Sequence, residues 1–479
     1  MKKFLVFLAL AVVAIAIGAY YFVFSKKDVC ENVIPEDAKA VMVFDGKGLV
    51  KQLDFSISDI IDFLKLKGDE KDLGIDFLTP MYGFVSSDNY LCGVFALNDA
   101  DAFEKIISKE EKYAVESQRG FKWVYTNDVL ACFDSDKALV MGPVSKGESD
   151  GVRSKIVEWM NQGSHKVPML SSLQDKEGTL RMRTNLGALP DVYKSQFNSL
   201  YKDIDLSKVF FNLSFNVKKQ ALQLSSEMES EDEGYTKLVS EWNNYYRPIQ
   251  GNQLQTPYEE PMALVVFNMD GETLCQKLGS ANPKYGMLLS QMNLFCNAGK
   301  MLEAINGNVT VAIDNISDGS PRFYVNAQVK NKDFMQGSEN WGSGLAALGI
   351  GCQQVEGENY VLNLNSAETK VYLGVRDDML YFASDYDVAK AGGKFSSLKD
   401  GSSLESRAAG KLSYFSIDID KLKDSSIAKS VFDAKNESVK EVLSYLDRLN
   451  VSIGKNKNAE FELTTKEKIS DIIKKNLKK

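Results

Sequence analysis

The chain carries the same order of elements twice, and that constrains its fold more than any single motif. Ala38–Gln52, AKAVMVFDGKGLVKQ, is matched by Pro261–Lys277, PMALVVFNMDGETLCQK. Each reads as an apolar strand, an Asp or Asn, a glycine and the start of a helix. In the first half there follow a strand hairpin over MYGFVSSDNYLCGVFALND, a helix from Asp99, and strands FKWVYTN and DVLACFDSDKALVMGP. The second half answers with NVTVAIDNISDGSPRFYVNAQVKN, a helix near Lys332, and strands ENYVLNLN and TKVYLGVRDDMLYFAS. Later, TLRMRTNLGALPD, a helix and SKVFFNLSFNVKKQALQLSSEMES parallel GKLSYFSIDIDKLKD, a helix and LNVSIGKNKNAEFELTTKEK. The matched elements lie about 220–240 residues apart, a drift that loop insertions absorb. The expected organisation is a first unit over 33–233, a helix and polar linker over 234–258, and a second, homologous unit over 259–479.

Alternation at Val209, Phe211, Leu213 and Phe215, and at Val371, Leu373 and Val375, is the pattern of antiparallel strands with one wet face. Turn signals separate the strands at Lys218-Lys219-Gln220, Asp318-Gly319 and Gly454–Asn458. Helical stretches fall between blocks of strands rather than after each one. The fold class expected is therefore α+β, two tandem units of mainly antiparallel sheet with helices on one face.

Ahead of the repeats runs FLVFLALAVVAIAIGAYYFVF, Phe4–Phe24, between Lys2-Lys3 and Lys26-Lys27. As a helix rising about 1.5 Å per residue it reaches roughly 31 Å, and a hydrocarbon core is about 30 Å thick. Cleavage after Ala14-Ile15-Ala16 would leave an apolar new terminus beginning at Ile17, so an uncleaved signal-anchor is the reading. A single N-terminal transmembrane helix, residues 1–32 with a short tether, then places the body on the extracytoplasmic, periplasmic side. Cys30 follows Lys27-Asp28-Val29, which does not fit a lipid-attachment site.

Apolar content of 44% and charged content of 25% suit a globular chain too long for one core. The net charge of −8 argues against nucleic acid or an anionic membrane surface as main partner. There are 6 cysteines without CxxC or metal-like spacing. Cys92 with Cys132, in strand-like runs, and Cys275 with Cys296, in helix-like runs, are the candidate disulfides, against the alternative of small buried thiols.

The segment Ile34-Pro35-Glu36-Asp37-Ala38 leads into the first strand, and in this, in length and in its apolar N-terminus the chain resembles uncharacterised bacterial envelope proteins, a family of unknown function. The resemblance implies an envelope location and assigns no catalytic residue.

Chemistry-bearing residues each have a plainer reading. His165 is the sole histidine, in a polar stretch, which disfavours a serine–histidine triad or zinc catalysis. Asp418 and Asp420, two apart, could share a strand face, but Asp420 and Asp99 each precede a helix and suit caps. Asp314-Asn315 with Asp318-Gly319 departs from a calcium loop. Neither Gly342-Ser343-Gly344 nor Gly392-Gly393-Lys394 has the phosphate-loop pattern. Glu227, Glu229 and Glu231 share one strand side and read as a wet edge, and Arg181 and Arg183 read as cross-strand partners of acids. No catalytic, cofactor or metal residue is assigned. The expected function is a membrane-anchored extracytoplasmic binding or scaffolding protein, not an enzyme, whose partners are the membrane and an envelope protein, glycan or lipid. A carrier of lipid or another apolar ligand, and a carboxylate-based enzyme acting on envelope polysaccharide, are the alternatives.

Overall fold

The computed structural model describes residues 30–53, 74–111, 114–126, 128–174, 176–189, 191, 194–195, 204–251, 254, 256–281, 283–317, 320–364, 369–391, 403–423, 425, 437–454 and 458–477. Chain contacts divide it into two compact units, Met1–Gly234 with Glu467–Lys479, and Tyr235–Lys466.

The first unit is built on β1 (Ala40–Phe44), β2 (Ile75–Asp76), β3 (Met81–Val85), β4 (Leu91–Leu97), β5 (Glu116–Gln118), β6 (Phe121–Thr126), β7 (Val129–Phe133), β8 (Lys137–Gly142), β9 (Leu180–Asn185), β10 (Val209–Lys218) and β11 (Ala221–Ser230). Apart from β2, which adds to β4, they pair antiparallel in the order 5-6-7-8-4-3-1-9-10-11. Between them lie α1 (Gly46–Leu53), α2 (Ala100–Glu111), α3 (Ser149–Met160) and α4 (Pro168–Gln174).

The second unit opens with α5 (Glu233–Tyr245), which crosses the boundary, and β12 (Tyr246–Arg247). Its strands are β13 (Ala263–Asp270), β14 (Ile305–Ser317), β15 (Ser320–Val329), β16 (Ile350–Glu356), β17 (Asn359–Leu364), β18 (Lys370–Arg376), β19 (Met379–Ala383), β20 (Ser413–Asp418), β21 (Leu446–Ile453) and β22 (Ala459–Thr465). Their antiparallel order is 16-17-18-19-15-14-13-20-21-22. Strand for strand, this is the order of the first unit. Its helices are α6 (Gly271–Ala281), α7 (Pro283–Cys296), α8 (Ala298–Ala304), α9 (Trp341–Ala346), α10 (Tyr386–Ala391), α11 (Leu404–Ala408), α12 (Ile419–Lys423) and α13 (Glu437–Tyr445). The last helix of the chain, α14 (Ile469–Leu477), groups with the first unit, where the Ile469 amide donates to the Lys219 carbonyl at 2.8 Å.

The expected fold class needs correction. Its two points were helices on one sheet face and an N-terminal transmembrane helix. What the chain builds is dominated by large antiparallel sheet, and both faces of that sheet are covered. In the first unit Val41, Val43, Phe84, Trp123, Leu130 and Leu139 pack under α3 and α4, where Phe84 meets Trp159 edge-on at 5.5 Å. Phe44, Leu97, Ala131 and Phe133 on the opposite face pack under α2, where Phe103 meets Phe133 at 5.2 Å. The physical reason is visible in β7, whose five positions are all buried, so no wet face remains for alternation to mark. The second unit likewise has separate cores on its two faces. Among the described residues no helix is long and apolar enough to cross a membrane. The run Phe4–Phe24 lies outside them.

A strap precedes β1 in the first unit and β13 in the second. In the first, Cys30, Val33 and Ile34 are buried against the sheet, and the Ile34 carbonyl meets His165 Nε2 at 2.9 Å. In the second, Ile249, Leu254 and Tyr258 are buried. Asn308 fixes this strap by accepting from the Gln250 amide at 3.1 Å and donating to the Gln250 carbonyl at 2.6 Å. Part of the stretch expected as a polar linker is thus core.

Candidate functional site

In each unit an aspartate at the end of a sheet strand starts a helix, Asp45 directly after β1 and Asp270 as the last residue of β13. Asp45 Oδ1 accepts from the Gly48 amide at 2.9 Å, and Asp270 Oδ1 from the Thr273 amide at 3.1 Å. Each satisfies one of the amides that a helix start leaves unpaired. In the first unit this cap borders a polar cleft of 390 Å³ lined by Asp45, Gln52, Lys176, Glu177, Gly178, Thr179, Arg181 and Asn216.

Three elements converge there. The end of β1 and α1 bring Asp45 and Gln52, the loop from α4 into β9 brings Lys176 to Thr179, and β9 and β10 bring Arg181 and Asn216. The Asp45 amide donates to the Thr179 carbonyl at 2.7 Å, and Thr179 Oγ1 donates to Gln52 Oε1 at 3.0 Å, which ties the loop to the helix. Gly178 has φ +147°, and a Cβ there would lie 3.3 Å from the Phe215 carbonyl oxygen, so glycine lets the loop close onto β10.

Register puts Arg181 and Arg183 on the face of Val43 and Val41. Only Arg183 takes the expected acidic partner. Buried to 8% exposure, it donates to Asn212 Oδ1 at 2.8 Å and Glu229 Oε2 at 2.6 Å, with its guanidinium 4.4 Å from the Phe210 ring centre. Lys176 also bonds Glu227, and reaches Glu229 at 3.3 Å. Burial works against the Glu229 charge, but Arg183 and Lys176 outweigh it and hold this carboxyl below its ordinary range. Burial works against the Lys176 charge too, and Glu227 and Glu229 reverse it, raising its pKa.

Arg181 turns instead to the end of α4, donating to the carbonyls of Leu173 at 3.0 Å and Lys176 at 3.1 Å, which places a cation at a helix C-terminus. Its Nε and the Asn212 Nδ2 are buried without a hydrogen-bond partner. Such orphan donors are uncommon.

The equivalent strands of the second unit carry a similar but closed network. Arg448 pairs with Asp418 at 3.3 Å, both side chains at 10% exposure. Asn450 Oδ1 accepts from Tyr414 at 2.9 Å and Ser416 at 2.8 Å, while its Nδ2 donates to Glu462 at 3.1 Å. Lys411 meets Glu460 at 3.0 Å and Arg407 meets Glu462 at 3.6 Å. In both units a glutamate pair two apart on the last strand faces cations from the segment before β9 or β20.

The remaining candidates are placed elsewhere. Asp418 caps α12 through the Lys421 amide at 3.0 Å, whereas Asp420 pairs with Lys423 and Lys466, so the two do not form a catalytic pair. Asp99 caps α2 through the Asp101 and Ala102 amides at 3.0 and 2.9 Å. Asp314 lies 3.4 Å from Arg322. Asp318, Gly319, Gly392, Gly393 and Lys394 lie outside the described residues. Among the described residues no three acidic, histidine or cysteine side chains gather as a metal site.

All six cysteines are free thiols. Cys92 on β4 and Cys132 on β7 do not pair because β8 runs between them, opposing Cys92 with Met141 and Cys132 with Leu139. Two strand spacings are about 10 Å, beyond disulfide reach. Cys275 on α6 and Cys296 on α7 are unpaired too. Sequence reasoning misses Lys176, Gln52, Thr179, Asn216 and Asn212; the sequence signals near the cleft are the strand–Asp–Gly–helix pattern at Asp45 and the arginine and glutamate pairs.

A family described as a domain of unknown function (DUF4836) matches residues 62–471. The chain belongs to that family. The Ile34–Ala38 element lies outside the matched residues. No curated protein matches the chain. Among solved structures, crystal form IV of TP0453 is similar with a TM-score of 0.27 and 12% identity over 41% of this chain and 79% of that one. Form I has 0.28 and 15% over 46% and 87%, and form III 0.29 and 13% over 47% and 90%. At such scores the likeness carries no argument about function.

Proposed function

We propose that this member of the family is an extracytoplasmic binding or scaffolding protein whose first unit takes a small hydroxyl-rich ligand of the glycan type. The observation that carries this is the lining of the cleft. Asp45 and Glu177 accept, Lys176 and Arg181 donate, and Gln52, Thr179 and Asn216 can do both. A hydroxyl also does both, whereas an anion would meet the two carboxylates and a cation the two basic groups. The volume of 390 Å³ falls in the small-ligand range. Export of the body is supported by the apolar run Phe4–Phe24 with its flanking lysines.

Calorimetric titration of the full chain with a panel of saccharides, including cell-wall fragments, tests the proposal. At least one should bind, and Asn216→Ala with Gln52→Ala should weaken that binding by about tenfold or more, as the loss of one or two hydrogen bonds to a neutral ligand implies. Absence of binding across the panel, or binding indifferent to both changes, defeats it.

Asp45 and Glu177 on one cleft give a polysaccharide-acting enzyme its one specific support. Against it, the Asp45 carboxylate is already engaged as a helix cap, accepting from the Gly48 amide, which commits it to a structural hydrogen bond. Release of reducing sugar abolished by Glu177→Gln would favour the enzyme over the binding protein.

A further inference from the structure

One helix of the second unit exposes a face that its own fold does not cover. On α7 the positions 284, 287, 288, 291 and 294 follow helical spacing and share one side. All five are exposed, with Met287 at 60%, Leu288 at 51% and Leu294 at 78%. The helices packed on α7 carry exposed leucines of their own, Leu278 on α6, at 39%, and Leu302 on α8, at 36%. The α6–α7 crossing is close, since a Cβ on Gly279 would lie 3.8 Å from the Gly286 Cα. The apolar side chains thus stand on a packed support.

Charge identifies the occupant. From Thr273 to Leu302 the sequence has Lys277, Lys284 and Lys300 but no Asp or Glu, in a chain whose net charge is −8. The flanking acids Glu272 and Glu241 pair with Lys330 and Lys277. Glu303, exposed, closes the stretch. An apolar line with lysines at both ends lets the cations reach phosphates while the Met and Leu side chains enter the acyl boundary.

We infer that α7 lays its Met287–Leu288–Leu294 face onto a lipid bilayer bearing anionic headgroups. The chain-wide charge, which argues against such a surface, is offset along Thr273–Leu302, where the sequence has lysines and no acid. This contact is separate from the cleft of the first unit and from the N-terminal apolar run.

The test uses the full chain with vesicles of phosphatidylcholine, with and without phosphatidylglycerol. Hydrogen exchange in α7 should slow on the mixed vesicles and less on phosphatidylcholine alone. The triple change Met287→Ser, Leu288→Ser, Leu294→Ser should remove that protection and lower vesicle partition by about tenfold or more, because three large apolar groups no longer enter the lipid. Lys284→Gln with Lys300→Gln should reduce the preference for phosphatidylglycerol and its sensitivity to salt. These residues are exposed, so an unchanged melting curve confirms that the variants are folded. Unchanged exchange in α7 on mixed vesicles overturns the inference. So does sedimentation showing that the wild-type chain self-associates through this face and the triple variant does not, which would make a second copy the occupant.

Discussion

Arg183 and Glu229 sit on strands separated by β10, and the guanidinium reaches across it to the carboxylate at 2.6 Å. The arginine is buried, whereas the Glu229 side chain keeps 39% exposure, so its charge is stabilised largely by Arg183 and Lys176 and partly by water. Its folded pKa lies below the ordinary 4.5. A lowered carboxyl contributes stability that is fully present above the unfolded value and is lost as pH falls through the folded one. Urea melts of the wild-type chain should therefore weaken as pH drops below about 4.5, and Glu229→Gln should flatten that acid limb. Equal acid slopes for both proteins would falsify the pairing as a source of stability.

Asp45 and Asp270 occupy the same place in the two units, yet their removal should differ in cost. Each caps a helix, and losing a cap costs about 0.5–2 kcal/mol. Asp270 also pairs with Arg247, bridging β13 and β12, so Asp270→Ala loses a second interaction. Denaturation of the two alanine variants should place Asp270→Ala as the more destabilised, with asparagine restoring most of the cap at Asp45 and less at Asp270. A larger loss at Asp45 would contradict this ordering.

These cases show which parts of the molecule are legible in sequence. Strand, aspartate, glycine and helix at Asp45-Gly46 and Asp270-Gly271 are local chemistry, and the cap forms where the pattern puts it. Parity along β9 gives Arg181 and Arg183 a common face, but it says nothing of what stands above each one. There Arg183 meets Glu229, and Arg181 meets the carbonyls ending α4. Gln52, Thr179 and Asn216 reach one cleft only through the register of β1, β9 and β10, which no local pattern encodes. Single-sided burial was misread because β3, β7 and β8 alternate little: with helices on both faces, apolar residues occupy both parities. The buried residues within the stretch read as a linker escape notice for a similar reason. Ile249, Leu254 and Tyr258 are spaced too irregularly among polar residues to announce a core strap.

Cys92 and Cys132 should remain reduced in protein prepared under oxidising conditions. Burial raises both thiols well above their ordinary pKa, which removes the reactive thiolate, and β8 keeps them apart. Alkylation followed by mass spectrometry should label neither in the native chain and both after denaturation. Recovery of a Cys92–Cys132 cross-linked peptide from folded protein would require a different strand order.

Asn308 makes the sharpest demand on the second unit. At 1% exposure it completes a pair of hydrogen bonds with both backbone groups of Gln250, doing for the strap what a neighbouring strand would do. Asn308→Ala leaves the Gln250 amide and carbonyl without these partners at a part-buried place, where an unmet group costs up to about 1–3 kcal/mol when water cannot reach it. The loss should appear in urea denaturation as about 1–3 kcal/mol, because Gln250 is exposed and water can replace part of the lost bonding. Asn308→Asp separates the two bonds: a carboxylate still accepts from the amide but faces the carbonyl with a second acceptor, so it should rescue little at neutral pH. Hydrogen exchange locates the effect. The Gln250 amide should exchange faster in both variants, while amides in β6 and β7 of the first unit keep their wild-type rates. If Gln250 exchanges no faster in Asn308→Ala, the strap is held by Ile249 through its bonds to Lys411 and Gly410, and Asn308 is only filling space.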